Sequence, residues 1–279
     1  MTRRAQDDQS DWTVPQDWEL YTADEHRLWD RLYERQMEVL PGRASDAFLH
    51  GLDRLHLHGS GIPDFRKLNA ELSRLTGWTI VAVPGLVPDE VFFEHLANRR
   101  FPAGRFIRRP DQLDYISEPD VFHDVFGHAP LLADPVFGDY LQAYGAGGLR
   151  SMGLNALDNL ARLYWYTVEF GLIATPQGLR IYGAGIVSSP AESVFALESR
   201  SPHRVSFDLE RIMRTRYRID DFQQTYFVIE SFEQLFEATA QDFAPIYRRL
   251  SSAETLDVAR LLPHDMVLNR GDQSHASAV

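Results

Sequence analysis

The 279 residues are 44% hydrophobic and 24% charged, the profile of a globular chain long enough to bury a sizeable core. Twenty-eight basic against forty acidic side chains leave a net charge of −12, which gains nothing from a phosphate backbone and argues against nucleic acid as a partner. Cysteine is absent, so disulfides, thiolate ligands and cysteine nucleophiles are excluded, and any bound metal must be held by histidine and carboxylate.

Residues 1–14, opening "MTRRAQDDQSD", read as a disordered polar tail. No apolar run approaches the ~20 residues of a membrane span, and no secretory signal is read, so a cytoplasmic location away from membranes is expected. "TADEHRLWDRLYERQMEVLPG" predicts a helix opened by a Thr22–Glu25 capping box, with Leu28 and Leu32, and Trp29 and Tyr33, at i,i+4 spacing. His56 and His58 in "LHLHG" alternate as strand neighbours would, with no third ligand beside them. "PDFRKLNAELSRLTGW" predicts a helix from Asp64 closed by Gly77, followed by a strand in "WTIVAVPG". A helix beginning near Pro88 finishes before Pro102, and "RFIRR" and "LRIYGAG" are further strand candidates. Long amphipathic stretches follow in "NALDNLARLYWYTVEFGLI", "PAESVFALES" and "IESFEQLFEATAQDFAPIYRRL". Residues 263–279 read as a second tail. The expectation is one catalytic domain over 15–262, of α+β class but mainly α, with a few short strands.

Most of the ten histidines lie among polar neighbours; His26, His50, His95, His203, His264 and His275 read as solvated. His123 and His128, in "EPDVFHDVFGHAP", are different. Pro119 favours a helix start, with Glu118 and Asp120 supplying negative charge at its amino end. Ligands on one face of an α-helix are usually four apart, not five. Gly127 and Pro130 predict that the helix ends near His128, and a glycine there could swing His128 back over His123. A third candidate ligand is Glu169, a carboxylate set among Trp165, Tyr166, Val168, Phe170 and Leu172, where an unpaired charge is costly to bury. Two histidines and a carboxylate are the facial triad of non-haem iron(II) oxygenases. A zinc-dependent hydrolase with Asp124 as general base is the competing metal reading, although the spacing departs from H-E-x-x-H.

The segments "EPDVFHDVFGHAPLL", "YWYTVEFGL" and "YGAGIVSSPAE", in this order and spacing, resemble the pterin-dependent aromatic amino acid hydroxylases. Within that family the chain is most similar to bacterial members that act on phenylalanine. The resemblance covers about residues 15–262. It implies a basket of helices with minor β structure, and a monomeric catalytic unit. It further implies a monooxygenase that hydroxylates L-phenylalanine to L-tyrosine with O2, Fe(2+) and a tetrahydropterin, either tetrahydrobiopterin or a bacterial equivalent. By motif, His123, His128 and Glu169 would hold the iron, with Tyr164 close to it. Phe92, with Phe93 beside it, matches the ring that stacks on the pterin, which Asp124 also approaches. Arg108 matches the arginine for the substrate carboxylate, oriented by Asp120, whereas Arg99, Arg100, Arg105 and Arg109 read as a solvated basic edge. Pro119 and Trp165 would wall the side-chain pocket, Ser188 would hold His123, and Tyr115 and Gly185 would complete the lining. The animal enzymes carry glutamate where this chain has Asp124, and threonine–proline where it has Ile116–Ser117. Action on tyrosine or tryptophan is the alternative within the family; Val228 stands where tyrosine-acting members carry an acidic residue.

Overall fold

The computed structural model describes residues 11–275 except Tyr115; the expectations for residues 1–10 and 276–279, and the one for Tyr115, lie outside the described residues. In chain order the elements are α1 (Ala23–Val39), α2 (Asp46–Arg54), α3 (Phe65–Thr76), β1 (Thr79–Val83), α4 (Asp89–Ala97) and β2 (Arg100–Gly104). A π-helix (Phe122–His128) then runs directly into α5 (Ala129–Leu132), followed by α6 (Pro135–Ser151) and α7 (Leu157–Tyr164). A second π-helix (Trp165–Glu169) continues α7 and leads to β3 (Leu172–Thr175), β4 (Gly178–Ile181), α8 (Ala184–Val187) and α9 (Pro190–Glu198). The chain closes with β5 (His203–Ser206), α10 (Leu209–Met213), β6 (Thr225–Ile229), α11 (Phe232–Thr239), α12 (Ala244–Leu250) and β7 (Val267–Asn269). The class is α+β with helix predominant.

Local chemistry explains the early helices. The Thr22 side chain accepts from the Glu25 N–H while Glu25 reaches back to the Thr22 N–H, so two orphan amides of α1 are satisfied. Asp64 caps α3, and Gly77 ends it in the left-handed region at φ 77°, where a side chain would be strained. Strands β1 and β2 pair in parallel, while the larger sheet has the order β4-β3-β6-β5-β7.

Several expectations need correction. "RFIRR" is not a strand; the strand is the preceding Arg100–Gly104, which finds its parallel partner in β1. Residues 56–58 form no strand, and His56 has φ 54° in a turn. The stretch 229–250 is two helices rather than one, since Pro245 favours a fresh helix start. Part of the second tail is ordered: β7 pairs antiparallel with β5, and the Gly271 N–H donates to His203 Nδ1 at 2.9 Å. Residues 11–14 are likewise engaged, with the Val14 N–H on the Ala82 carbonyl and Asp11 paired to Arg100. His95 and His203 are buried, each with Nε2 on a backbone carbonyl, and His26 Nδ1 accepts from the Ile62 N–H. The basic edge is paired as well: Arg99 with Asp139, Arg105 with Asp17, and Arg109 with Asp111.

One buried acid away from the histidines has a measurable consequence. Glu192, on α9, accepts hydrogen bonds from the Tyr226 hydroxyl and the Gln223 N–H, and burial pushes its carboxyl up to about 7. The folded pKa exceeds the unfolded one, so the unfolded chain binds fewer protons between about pH 4.5 and 7, and stability falls as pH rises through that window. Glu192→Gln keeps the acceptor and cannot ionise. Urea unfolding is expected to show the variant more stable than the parent at pH 8, by up to about 3 kcal/mol, and the gap largely gone at pH 5. An equal gap at both pH values would contradict this.

Candidate metal centre

The first π-helix answers the question of spacing. In a π-helix each N–H bonds five residues back, so residues five apart take the neighbouring positions that residues four apart take in an α-helix. His123 and His128 therefore share a face, with ring centroids 5.2 Å apart and planes at 81°. The expected helix end at Gly127 is wrong: the helix continues through α5, and Gly127 has no left-handed backbone. Glycine is needed there for space. A Cβ would meet the Ala184 Cβ at 3.1 Å and the Ala184 carbonyl at 3.2 Å. On the opposite side, Phe122 and Phe126 stack at 4.8 Å and pack against Trp29 and Phe48, anchoring the helix in the core.

The second π-helix ends in Glu169, with the Phe170 N–H bonded five residues back to the Trp165 carbonyl at 2.8 Å. Glu169 Oε2 lies 3.5 Å from His123 Nε2, and Oε1 lies 3.3 Å from His128 Nε2. One ligand atom from each of the three residues falls within 4.8 Å of the others, and no other such cluster occurs among the described residues.

Protonation favours a cation between them. The Ser188 hydroxyl donates to the Ala184 carbonyl at 2.7 Å and so accepts from His123 Nδ1–H at 2.9 Å. That bond leaves the Nε2 lone pair aimed at the carboxylate. Burial drives the His123 pKa down to about 4, the neutral form that ligation requires. Burial works to raise the Glu169 carboxyl, but the neighbouring His128 and His123 hold it below the usual range. A lone pair facing a carboxylate is repulsive, and a metal ion in the gap would make every contact attractive. Two nitrogens and one carboxylate from three side chains, in a cavity open on the remaining side, fit non-haem iron(II).

The cavity, about 260 Å³, is walled by Phe92, Phe101, Pro119, Asp124 and Tyr164 around the three donors, with further lining from the β1–α4 connection at Gly85, Leu86 and Val87. Phe92 meets Tyr164 edge-on at 5.6 Å, while Phe93 is buried against Tyr144 and Gly148, so Phe92 is the ring the cavity receives. Burial pushes the Asp124 carboxyl up to about 7, and its Oδ2 accepts from the Gly104 N–H at 2.7 Å. Phe101, tilted over the His128 ring at 4.5 Å, was not foreseen; its place on a strand beside the site gives no signal in sequence. A larger cavity of about 410 Å³ beside α10 holds no such donor set, and its Arg211 and Arg249 are paired with Asp265 and Glu210.

Arg108 and Asp120 lie buried beside the cavity. Asp120 Oδ2 accepts from the Arg108 N–H at 2.8 Å and from Nε at 2.9 Å, and Oδ1 accepts from Nη2 at 2.9 Å. Oδ1 also accepts from the His123 N–H at 3.0 Å, so one carboxylate ties the arginine to the backbone of a metal-site histidine. Burial opposes ionisation of Asp120, but Arg108 and these N–H donors hold its carboxyl below the usual range. Trp165, one residue beyond Tyr164 and half-buried, is stacked on Tyr217 and tilted against Phe170, and is not among the residues lining this cavity. The Gly185 N–H donates to the Glu169 carboxylate, and a Cβ there would press the Phe170 ring at 2.9 Å. Val228 is buried in the centre of the larger sheet.

The close approach at Gly127 gives a prediction. Gly127→Val would drive α8 away from the π-helix and carry Ser188 off His123. We expect a loss of about 1–3 kcal/mol in urea unfolding, together with weaker iron binding. Unchanged iron affinity in the folded variant would contradict the link from Gly127 to His123.

Comparison with known proteins agrees with this geometry. The profile of the family described as "Biopterin-dependent aromatic amino acid hydroxylase" matches residues 13–253. A phenylalanine-4-hydroxylase of Caulobacter vibrioides is 66% identical over 268 residues, covering 96% of this chain and 91% of the relative. That of Chromobacterium violaceum is 61% identical over 266 residues, covering 95% and 90%. The crystal structure of the Chromobacterium violaceum enzyme with bound oxidised Fe(III) superposes with a TM-score of 0.91 at 62% identity, covering 94% of this chain and 95% of that one. The same enzyme bound to cobalt gives a TM-score of 0.92 at 61% identity, covering 94% of each chain.

Proposed function

The chain belongs to the biopterin-dependent aromatic amino acid hydroxylases, and on that footing we propose that it hydroxylates L-phenylalanine to L-tyrosine with O2, iron(II) and a tetrahydropterin. The observation that carries the reading is the convergence of His123, His128 and Glu169 at one end of a cavity open to small molecules. When bound, the iron and the tetrahydropterin supply the oxygen activation and the electrons that ring hydroxylation needs.

The protein's part is to bind and orient. His123, His128 and Glu169 would hold the metal and leave its other positions free. Ser188 keeps His123 in the tautomer that presents Nε2. Asp120 engages Nε and Nη2 of Arg108 and leaves Nη1 for the carboxylate of the amino acid substrate, a pairing suited to a planar guanidinium. Pro119 would wall the substrate's ring and Trp165, next to Tyr164 along the chain, would meet that ring where it extends past the 260 Å³ cavity, with Gly185 giving the room for Phe170 behind it, and Tyr164 would lie beside the metal. Phe92 would stack on the pterin ring, and Asp124 would meet the pterin's polar edge. Anchoring the substrate at both its carboxylate and its ring fixes the carbon presented to the metal, and small misplacements there cost large factors in rate. The working unit on this reading is a single chain in the cytoplasm, and sedimentation at the monomer mass is expected.

Comparing kcat/KM for phenylalanine, tyrosine and tryptophan tests the substrate assignment, with phenylalanine expected to lead. Preference for either of the others would overturn it, and hydrolytic activity with zinc but no hydroxylation with iron would favour the competing metal reading.

A further inference from the structure

Gln223 lies in the loop between α10 and β6 and is buried. Its Nε2 donates to the carbonyls of Arg218 at 3.0 Å and Asp221 at 3.4 Å, which fixes which end of the amide is nitrogen. The other end, Oε1, accepts the indole Nε1–H of Trp165 at 2.9 Å. The main chain of the same residue is anchored too, its N–H donating to Glu192 at 3.3 Å. The indole is stacked on Tyr217 at 4.4 Å and 16° and tilted against Phe170 at 4.7 Å and 31°. Offset stacking tolerates a range of in-plane shifts, so these ring contacts by themselves do not fix the rotation of the indole in its own plane. The indole has one polar atom, and Gln223 takes it.

We propose that Gln223 is a positioning residue that sets the in-plane orientation of Trp165 and thereby the fit of the substrate's aromatic ring. The proposal rests on the reading that Trp165 walls that ring. Trp165 is also the first residue of the π-helix that ends in Glu169, so its placement bears on the same short segment that carries the metal ligand. A sequence search for ligands and pocket walls passes over Gln223, since it touches neither cavity nor metal. Among the described residues its side chain hydrogen-bonds two carbonyls and one indole.

The test uses the full chain loaded with iron, with Gln223→Met to remove the acceptor at similar volume and Trp165→Phe to remove the donor together with the pyrrole ring that carries it. Gln223→Met is expected to raise the phenylalanine KM about five- to tenfold, the effect of one buried hydrogen bond, while the pterin KM stays within about twofold. Tyrosine formed per pterin oxidised is expected to fall. In metal-free protein, the Trp165 indole N–H resonance, identified by its loss in Trp165→Phe, is expected to shift and to exchange faster with solvent in Gln223→Met. Trp165→Phe should raise the phenylalanine KM similarly, and adding Gln223→Met to it should change the KM by less than about twofold. Additive effects of the two substitutions, an equal rise in both KM values, or an unmoved indole resonance would each overturn the proposal. Should Gln223→Met fail to fold, Trp165→Phe against the parent decides the matter, an unchanged phenylalanine KM counting against it. Trp165→Ala separates the underlying reading: an unchanged phenylalanine KM there would sink the wall assignment and the proposal with it, while the indole resonance would still report the bond.

Discussion

Glu169→Ala is expected to abolish hydroxylation and to lower iron affinity by more than the roughly 10- to 100-fold that loss of an outer hydrogen-bond partner costs, while leaving the helical circular dichroism unchanged. The reasoning starts from the donor set. Glu169 supplies both of the short approaches in the cluster, one oxygen toward each imidazole, and no other carboxylate among the described residues joins it. Two histidines alone leave a weaker site with an extra open position. The fold tolerates the change because the lost carboxylate lines a cavity rather than filling a close-packed core. His128→Ala is expected to behave alike. Near-normal iron binding and turnover in either variant would refute the triad.

Asp120→Ala is expected to have the largest effect on stability. Arg108 and Asp120 are both buried and paired through two side-chain hydrogen bonds, and Asp120 adds two bonds to backbone N–H groups. Removing the acid strands a guanidinium in a poor solvent, a loss of about 3–5 kcal/mol. A chain of this size would then melt on the order of 10 °C lower. The phenylalanine KM should rise as well, because the arginine loses the group that aims it. Arg108→Lys, which keeps the charge but not the fork, should raise the phenylalanine KM with a smaller effect on the pterin KM. Equal effects on both substrates, measured by steady-state kinetics, would count against the assigned role, and an unchanged melting temperature for Asp120→Ala would count against the ion pair.

The residues of the site were more legible than the backbone that carries them. A carboxylate among Trp165, Val168 and Phe170 is conspicuous because burying charge is costly, and that argument survives any error in secondary structure. The histidine pair stood out from the helix-start and glycine signals around it, but its geometry was misread. A π-helix has no propensity signature, so Gly127 and Pro130 looked like a helix end when Gly127 in fact makes room for Ala184. Helix α6 went unread because "YGAGGLR" argues against a helix by propensity. Its glycines serve close approach instead: a Cβ at Gly148 would lie 2.2 Å from the Phe93 ring, and one at Gly145 would lie 2.5 Å from the Ala97 N. That contact seats α4 and turns Phe92 toward the cavity. The short strand β7 was lost in an apparent tail because three residues at a sheet edge leave too little pattern to read. His95 and His203 looked solvated because their partners are backbone carbonyls distant in sequence, which composition cannot register.

The most direct test of the account is made on one sample. The chain is loaded anaerobically with iron(II), mixed with phenylalanine and a tetrahydropterin, and exposed to oxygen, and tyrosine is counted against pterin oxidised. The account predicts tyrosine formed in step with pterin oxidation, and none from the Glu169→Ala variant treated alike. An absence of tyrosine from parent protein that binds iron normally would contradict it.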